Sequence, residues 1–181
     1  MTADRLDGGP ADQPVGGNAG ERKGETERAD EGDVVAVTEL LGRPPRGRFE
    51  VVVRAGDNMP AVIANAPFLD DGTPMPTRYW LVDPTLREAV SRLESSGGVR
   101  QAEAEIPADQ VADAHRRYAA EREALIPADH AGPRPTGGVG GTRQGVKCLH
   151  AHLAWWLTGA DDPVGAWTAV RIGLHPGSGP R

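Results

Sequence analysis

The order of the predicted elements along the chain indicates an α+β fold, with strand patterns first and helix patterns afterwards. Alternating apolar side chains occur between residues 48 and 82, and apolar residues at helical spacing follow between residues 84 and 159. A length of 181 residues suits one domain of ordinary size. We therefore expect a small antiparallel sheet of about three strands packed with about three helices.

Both ends of the chain are predicted to lie outside this domain. Residues 1–33 hold nine acidic against four basic residues and no aromatic residue, and so little apolar surface cannot offset the entropy of ordering. Residues 171–181 contain repeated Gly and Pro, which predict a flexible C-terminal tail. The chain thus divides into a disordered acidic tail, a single domain over residues 34–170, and the second tail.

Charge and hydropathy exclude two classes of partner. The net charge of −6 belongs mostly to the acidic tail, so the domain is nearly neutral and has no basic run that would attract nucleic acid. No apolar stretch approaches the roughly 18 residues of a membrane span, and the N-terminus lacks the apolar core of a signal peptide. The cytoplasm is therefore the expected compartment. A single cysteine, Cys148, forbids an internal disulfide.

The predicted sheet begins with a hairpin. Residues 48–54 have strand character, and residues 61–64 follow after the turn-forming Gly56-Asp57-Asn58. Prolines and an Asp-Gly pair then interrupt residues 65–76, which predicts an ordered loop. A third strand is expected at residues 77–82.

Three helices are expected after the sheet. The first begins at Asp83-Pro84, because Asp can cap a helix and Pro suits its first position, and it ends at Gly97-Gly98. The second runs over residues 108–125 with an apolar stripe. The third begins near Gly145 and ends near Gly159.

The segment Gly137–Cys148 is a glycine-rich loop that leads directly into the third predicted helix. Such a junction exposes backbone N–H groups and the positive end of a helix dipole, which together favour an anion. The pattern is not a P-loop, because Val146 separates Gly145 from Lys147 and no apolar strand precedes the loop. A flexible linker is the alternative interpretation. The expected anion-binding residues are Gly140, Gly141, Gly145 and Lys147, the last being the only lysine beyond the acidic tail.

Cys148 and three histidines form the candidate catalytic set, which consists of Cys148, His150, His152 and His115. On a helix Cys148 and His152 are neighbours at i and i+4, and Lys147 with the helix N-terminus would lower the pKa of the thiol for nucleophilic catalysis. Alternatively, Cys148 is a small buried apolar residue and His150 a hydrogen-bonded core residue. A structural zinc site needs four ligands, and with one cysteine we expect no metal.

Polar residues of the second helix and of the loop before the third strand complete the candidate site. His115, Tyr118 and Arg122 share one stripe, where their polar heads need partners, either in a cleft or in neighbouring loops. Asp71 and Thr73 lie in the loop that we expect to face the glycine-rich segment. Asp71, Thr73, Tyr118 and Arg122 are therefore supporting residues.

At these residues the chain resembles a bacterial family catalogued as domain of unknown function 501, typical of actinobacteria. The resemblance covers residues 41–165 and rests on Gly42–Gly47, Pro60–Ile63, Asp71–Thr77 with Tyr79–Leu81 and Pro84, Ser91–Glu94, Ala114-His115 with Tyr118 and Arg122, Val146–His150, and Pro163–Gly165.

The resemblance implies little about activity, since the family is named for lacking an established one. The resemblance also implies that the genes of family members lie beside division-initiator, enolase and exopolyphosphatase genes. This implies a role in cell division, envelope or polyphosphate physiology. The family pattern also has cysteines where Ala55, Asp57 and Asp83 stand here, and a histidine at the place of Trp155. A metal site built from several cysteines is therefore not expected in this chain.

Two functions are compatible with these patterns. The first is binding of a phosphate-bearing small molecule, with or without a reaction on it, at the junction of the glycine-rich loop with Lys147, Cys148 and the nearby histidines. The second is a non-catalytic interaction module that contacts a division or envelope protein. The sequence leaves open whether the domain is an enzyme, and it indicates no cofactor.

Overall fold

A computed structural model describes residues 29–174 of the chain. In this part of the chain it contains a three-stranded antiparallel sheet, six α-helices and one short 3-10 turn at Val139–Gly141, which confirms the α+β class. The elements are α1 (Glu31–Leu41), β1 (Phe49–Arg54), β2 (Pro60–Asn65), β3 (Tyr79–Leu81), α2 (Pro84–Ser95), α3 (Gly98–Glu105), α4 (Ala108–Glu123), α5 (Leu149–Leu157) and α6 (Pro163–Arg171). Of the two predicted tails, residues 1–28 of the first and residues 175–181 of the second lie outside the described residues.

The sheet has the order β1-β2-β3, with β2 in the centre. All six residues of β2 are buried, as expected for a central strand covered on both faces. Helices α2, α4, α5 and α6 pack with one face into a core that includes Leu81, Val90, Leu149 and Leu153. A smaller cluster of Val37, Phe49, Ile63 and Val82 holds α1 on the sheet.

Helix α1 corrects the predicted boundary of the acidic tail. Asp30 caps the helix, because its carboxylate accepts a hydrogen bond from the Asp33 N–H at 2.8 Å. The N–H of Ala29 donates to the Phe49 carbonyl at 3.0 Å, and Asp33 pairs with Arg54 at 2.7 Å. Residues 29–33 are thus part of the domain, where Asp30 caps α1 and Asp33 pairs with Arg54.

Helix α6 corrects the other boundary. Asp162 and Pro163 give it the same kind of start that Asp83 and Pro84 give α2. Asp83 accepts one backbone N–H of the first turn, and Asp162 accepts two. After Arg171 the chain stays on the domain, because the Leu174 N–H donates to the Ala169 carbonyl at 2.8 Å and Leu174 packs against the core. The predicted C-terminal tail therefore cannot begin before residue 175.

Two further differences concern helices. Residues 98–105 form α3 directly after the glycine pair that ends α2, where no helix was predicted. The prediction that the third helix begins near Gly145 is wrong by four residues, because α5 begins at Leu149 with Cys148 as its N-cap. None of the helices within residues 29–174 has both the length and the apolar character needed to cross a membrane.

Candidate functional site

The glycine-rich loop is folded onto His115 of α4. The N–H of Val139 donates to His115 Nδ1 at 3.1 Å, so the ring proton is on Nε2, which donates to the Gly145 carbonyl at 2.9 Å. A Cβ atom at Gly138 would lie 2.4 Å from the His115 Cβ, so only glycine fits at this close approach. Burial lowers the pKa of His115 and favours this neutral form. The structure therefore places His115 as a clamp on the loop.

The predicted anion-binding groups of this loop interact with groups of the chain itself. The Lys147 ammonium donates to the Gly140 carbonyl at 3.2 Å. The Val146 N–H donates to the Glu103 carboxylate at 2.8 Å, and the Leu149 N–H at the start of α5 donates to Glu94 Oε1 at 2.6 Å. Two carboxylates thus already occupy positions at which the sequence predicts a phosphate.

His152 lies in the core and is hydrogen-bonded to Asp162. Its Nδ1–H donates to Asp162 Oδ2 at 2.7 Å, and both side chains are 1% exposed or less. Its Nε2 is buried and has no hydrogen-bond partner among the described residues. The i,i+4 spacing of Cys148 and His152 is therefore not accompanied by a hydrogen bond between them in the described structure, and His152 pairs with the capping residue of α6 instead.

Cys148 is half-buried at the start of α5. Burial raises the pKa of its thiol, and this effect outweighs the opposing effect of the His150 and Ala151 N–H groups and of Lys147. The sequence predicts the reverse, because the helix N-terminus and Lys147 can be recognised in it and the burial of the thiol cannot. The geometry does not support Cys148 as an activated thiolate.

The raised pKa of Cys148 predicts that its thiol reacts slowly. With its pKa above that of an ordinary thiol, the group is almost entirely protonated at pH 7, so iodoacetamide should modify it no faster than it modifies glutathione. The rate should rise only as the pH is brought into the alkaline range where the thiolate forms. Mass spectrometry of timed samples measures this, and rapid alkylation of folded protein at pH 7 would contradict it.

Tyr118 and Arg122 hold backbone segments together. The Tyr118 hydroxyl accepts the Arg78 N–H at 2.6 Å, and burial raises the pKa of this phenol to about 12. The Arg122 guanidinium donates to the carbonyls of Pro76 at 3.0 Å and Pro135 at 3.1 Å. These two residues are brought to the loops around the site, in contacts that stabilise those loops.

Asp71 and Thr73 lie in an exposed turn. The Asp71 carboxylate accepts the Thr73 N–H at 2.9 Å, and hydrogen bonding to Thr73 lowers the pKa of Asp71. This turn does not contribute to the site, but the end of the same loop does approach it. A Cβ atom at Gly141 would lie 3.3 Å from the Pro76 ring, so the loop and the glycine-rich segment are in contact there.

A groove of about 440 Å³ opens where α1 ends and beside β3, α2 and the first turn of α5. We call it the basic groove, and it is lined by Leu41, Arg43, Thr77, Tyr79, Trp80, Leu81, Arg87, Ser91, Cys148, His150 and Ala151. The Arg43 guanidinium lies over the Trp80 ring, 5.4 Å from its centroid. Arg87 is oriented by a hydrogen bond from its Nη1 to the Leu40 carbonyl, 2.9 Å long. Of the predicted catalytic residues, the groove contains Cys148 and His150.

His150 connects α5 to three residues of α2. Its Nδ1 lies 3.2 Å from Glu94 Oε1, and its Nε2 lies 3.3 Å from Ser91 Oγ. The Glu94 carboxylate can only accept, so Nδ1 carries a proton. In the neutral ring Nε2 accepts the Ser91 hydroxyl, whereas in the doubly protonated ring its N–H donates. The Arg87 carbonyl oxygen is also 3.2 Å from Nε2.

Sequence reasoning missed Ser91, Glu94, Arg43 and Arg87 as site residues. A usable signal was present, because Ser91 and Glu94 are three residues apart and therefore share one face of the predicted first helix. No signal in the sequence indicated that this face meets His150. Among the described residues, no three His, Cys, Asp or Glu side chains are grouped so as to hold a metal ion.

Fold and groove together define a small α+β domain with one basic, partly aromatic groove, a class to which the fold alone assigns no activity. The chain belongs to the family described as "Protein of unknown function (DUF501)", whose model matches residues 51–170. The matched region includes Ser91, Glu94 and His150, whereas Arg43 precedes it. No curated protein and no solved structure matches the chain.

Proposed function

We propose that the domain binds a phosphate-bearing small molecule in the basic groove. One observation carries the proposal: two guanidinium groups and an imidazole line a single cavity of about 440 Å³. A cavity of this size is within the range of about 300–1,000 Å³ that is common for small-molecule sites. Guanidinium groups bind phosphate oxygens through paired charge-assisted hydrogen bonds, which an ammonium group does not match in geometry.

The groove fits an anion better than the glycine-rich loop does. Glu103 and Glu94 accept N–H groups at the loop and at the start of α5, and a phosphate placed there would have to displace them. The glycine-rich loop instead packs against Ala151 and Cys148. A Cβ atom at Gly140 would lie 3.6 Å from the Ala151 Cβ and 3.9 Å from Cys148 Sγ. Both of these residues line the groove.

Thermal unfolding with inorganic phosphate, tripolyphosphate and adenine nucleotides tests the proposal. A ligand at about 100 times its Kd adds roughly 2.7 kcal/mol to the free energy of unfolding, which raises the Tm visibly. We expect such a rise for at least one of these compounds. Arg43→Gln and Arg87→Lys should each reduce it, because the first variant removes a guanidinium and the second replaces one with a point charge.

Two control variants locate the site. Arg46→Gln changes an exposed arginine outside the groove and should leave the ligand-induced rise intact. Lys147→Met removes the lysine of the glycine-rich loop and should also leave it intact. A rise that Lys147→Met abolishes and Arg43→Gln preserves would place the anion at the loop. If no phosphate compound raises the Tm, the rival proposal, a module that contacts a division or envelope protein, takes precedence.

A further inference from the structure

We infer that Ser91 is a nucleophile that His150 and Glu94 activate, so that the basic groove cleaves an acyl ester or thioester. The inference rests on the proposed function in one respect, which is that the substrate carries a phosphate. Ser91 and His150 both line the groove, and Glu94 lies directly behind His150.

The three side chains have the arrangement of a nucleophile, a base and a group that orients the base. Ser91 Oγ lies 3.3 Å from His150 Nε2, and His150 Nδ1 lies 3.2 Å from Glu94 Oε1. These distances are close to the catalytic reach of about 2.6–3.2 Å, and such contacts are commonly longer without a bound ligand. The roles are recognised by this geometry and not by chain order, which is Ser, Glu, His here.

The local structure fixes the orientation of the base. Glu94 Oε1 also accepts the Leu149 N–H at 2.6 Å, so the carboxylate is held in place by the backbone that carries His150. Because Glu94 keeps the proton on Nδ1, the lone pair of Nε2 points toward α2, where Ser91 lies. The relay is therefore assembled from two helices that the core already packs together.

The Arg87 carbonyl oxygen completes the proton-transfer site. It lies 3.2 Å from His150 Nε2 and cannot receive a hydrogen bond while Nε2 is unprotonated. Once Nε2 has taken the Ser91 proton, its N–H can donate to this carbonyl, while Nδ1–H still donates to Glu94. The imidazolium is thus hydrogen-bonded on both sides, and the proton-accepting state of His150 is stabilised.

The reaction that follows is acyl transfer to water. Ser91 Oγ bonds to the carbonyl carbon of the substrate while its proton moves to His150 Nε2. The bond from that carbon to the leaving oxygen or sulfur then breaks, and the leaving group takes the proton from His150. Water attacks the acyl-Ser91 through the same base, which releases the carboxylic acid and restores the hydroxyl. Arg87 is one helical turn before Ser91 on α2, so it can hold the phosphate of the leaving alcohol or thiol near the reacting carbon.

A fluorophosphonate probe tests the nucleophile on the full-length protein. The Ser91 oxygen should displace fluoride from phosphorus with loss of its proton to His150, and peptide mass mapping should find the adduct on Ser91. Ser91→Ala should abolish this adduct, whereas Ser95→Ala, one turn further along α2, should not affect it. His150→Gln should slow labelling by about 10²-fold or more, the usual contribution of a general base.

Glu94 is a positioning residue and needs a separate readout. Glu94→Gln should slow labelling of Ser91. Glu94→Asp restores the negative charge and should recover part of the labelling rate, while its Tm should equal that of Glu94→Gln. A purely structural role would change the Tm and the labelling rate together. In addition, 4-nitrophenyl acetate should give a burst of nitrophenolate and an acetylated Ser91.

The outcomes separate this inference from the proposed function. If the wild-type protein gives no adduct on Ser91, or if His150→Gln is labelled at the wild-type rate, the inference is overturned even where phosphate compounds raise the Tm. An adduct on Ser91 that depends on His150, with no effect of any phosphate compound, supports the nucleophile and removes the phosphate from the substrate class.

Discussion

Asp162→Ala should destabilise the domain by several kcal/mol, since each buried donor left without an acceptor costs about 1–3 kcal/mol. The Asp162 carboxylate is fully buried, and it accepts hydrogen bonds from His152 Nδ1 and from the N–H groups of Val164 and Gly165. Alanine leaves all three donors in the core without an acceptor, and it also removes the cap of α6.

Urea unfolding followed by circular dichroism measures this loss. Asp161→Ala is a matched control, because the neighbouring side chain is 95% exposed and makes only a surface ion pair with Arg117 at 3.5 Å. Such a pair contributes little, so this variant should change the free energy of unfolding by less than about 1 kcal/mol. Equal effects of the two variants would show that the buried contacts of Asp162 do not stabilise the fold.

Gly165→Ala should cost about 3 kcal/mol or more, at the upper end of the range for overpacked cores. Gly165 lies where α6 packs on α5. A Cβ atom there would be 2.4 Å from the Trp156 Cβ and 2.6 Å from the His152 carbonyl oxygen. Both atoms belong to or adjoin the backbone of α5, so the two helices would have to separate to admit one methyl group.

The same unfolding experiment serves for this variant. Gly32→Ala, in the first turn of α1, is the control, because a Cβ atom there meets only the Asp30 carboxylate at 3.3 Å and alanine favours a helix. We expect Gly32→Ala to leave stability nearly unchanged or to raise it slightly. An unchanged urea midpoint for Gly165→Ala would mean that α5 and α6 are less tightly packed than the structure shows.

The strands and two of the helices follow from local chemistry. The alternation before Arg54 and the Asp83-Pro84 start are signals that act within a few residues, and the structure has β1 and α2 at those places. Asp162-Pro163 carries the same helix signal, so the start of α6 is encoded locally as well. Helix α1 differs, because the acidic composition of its first turn predicts a tail, whereas in the structure Asp30 caps the helix and Asp33 pairs with Arg54.

The site was harder to predict because distant residues form it. Cys148 and His152 are neighbours in sequence, yet Asp162 draws His152 into the core while burial keeps the Cys148 thiol protonated. Val146 lies outside α5 and its N–H bonds to Glu103, a residue 43 positions earlier in the chain. Contacts of this kind depend on how α3 and α5 pack, which composition and periodicity do not encode.

One oxygen atom, Glu94 Oε1, accepts the Leu149 N–H at the start of α5 and also contacts His150 Nδ1. Mutational tolerance should therefore differ between neighbouring positions of α2. A replacement at Glu94 has to accept the Leu149 N–H and also orient the His150 ring. Ser91, in contrast, is exposed, and its hydroxyl is hydrogen-bonded only to that ring. Replacement of Ser91 during evolution should therefore not impair folding. Glu94 would then be retained only for the hydrogen bond that it accepts at the start of α5.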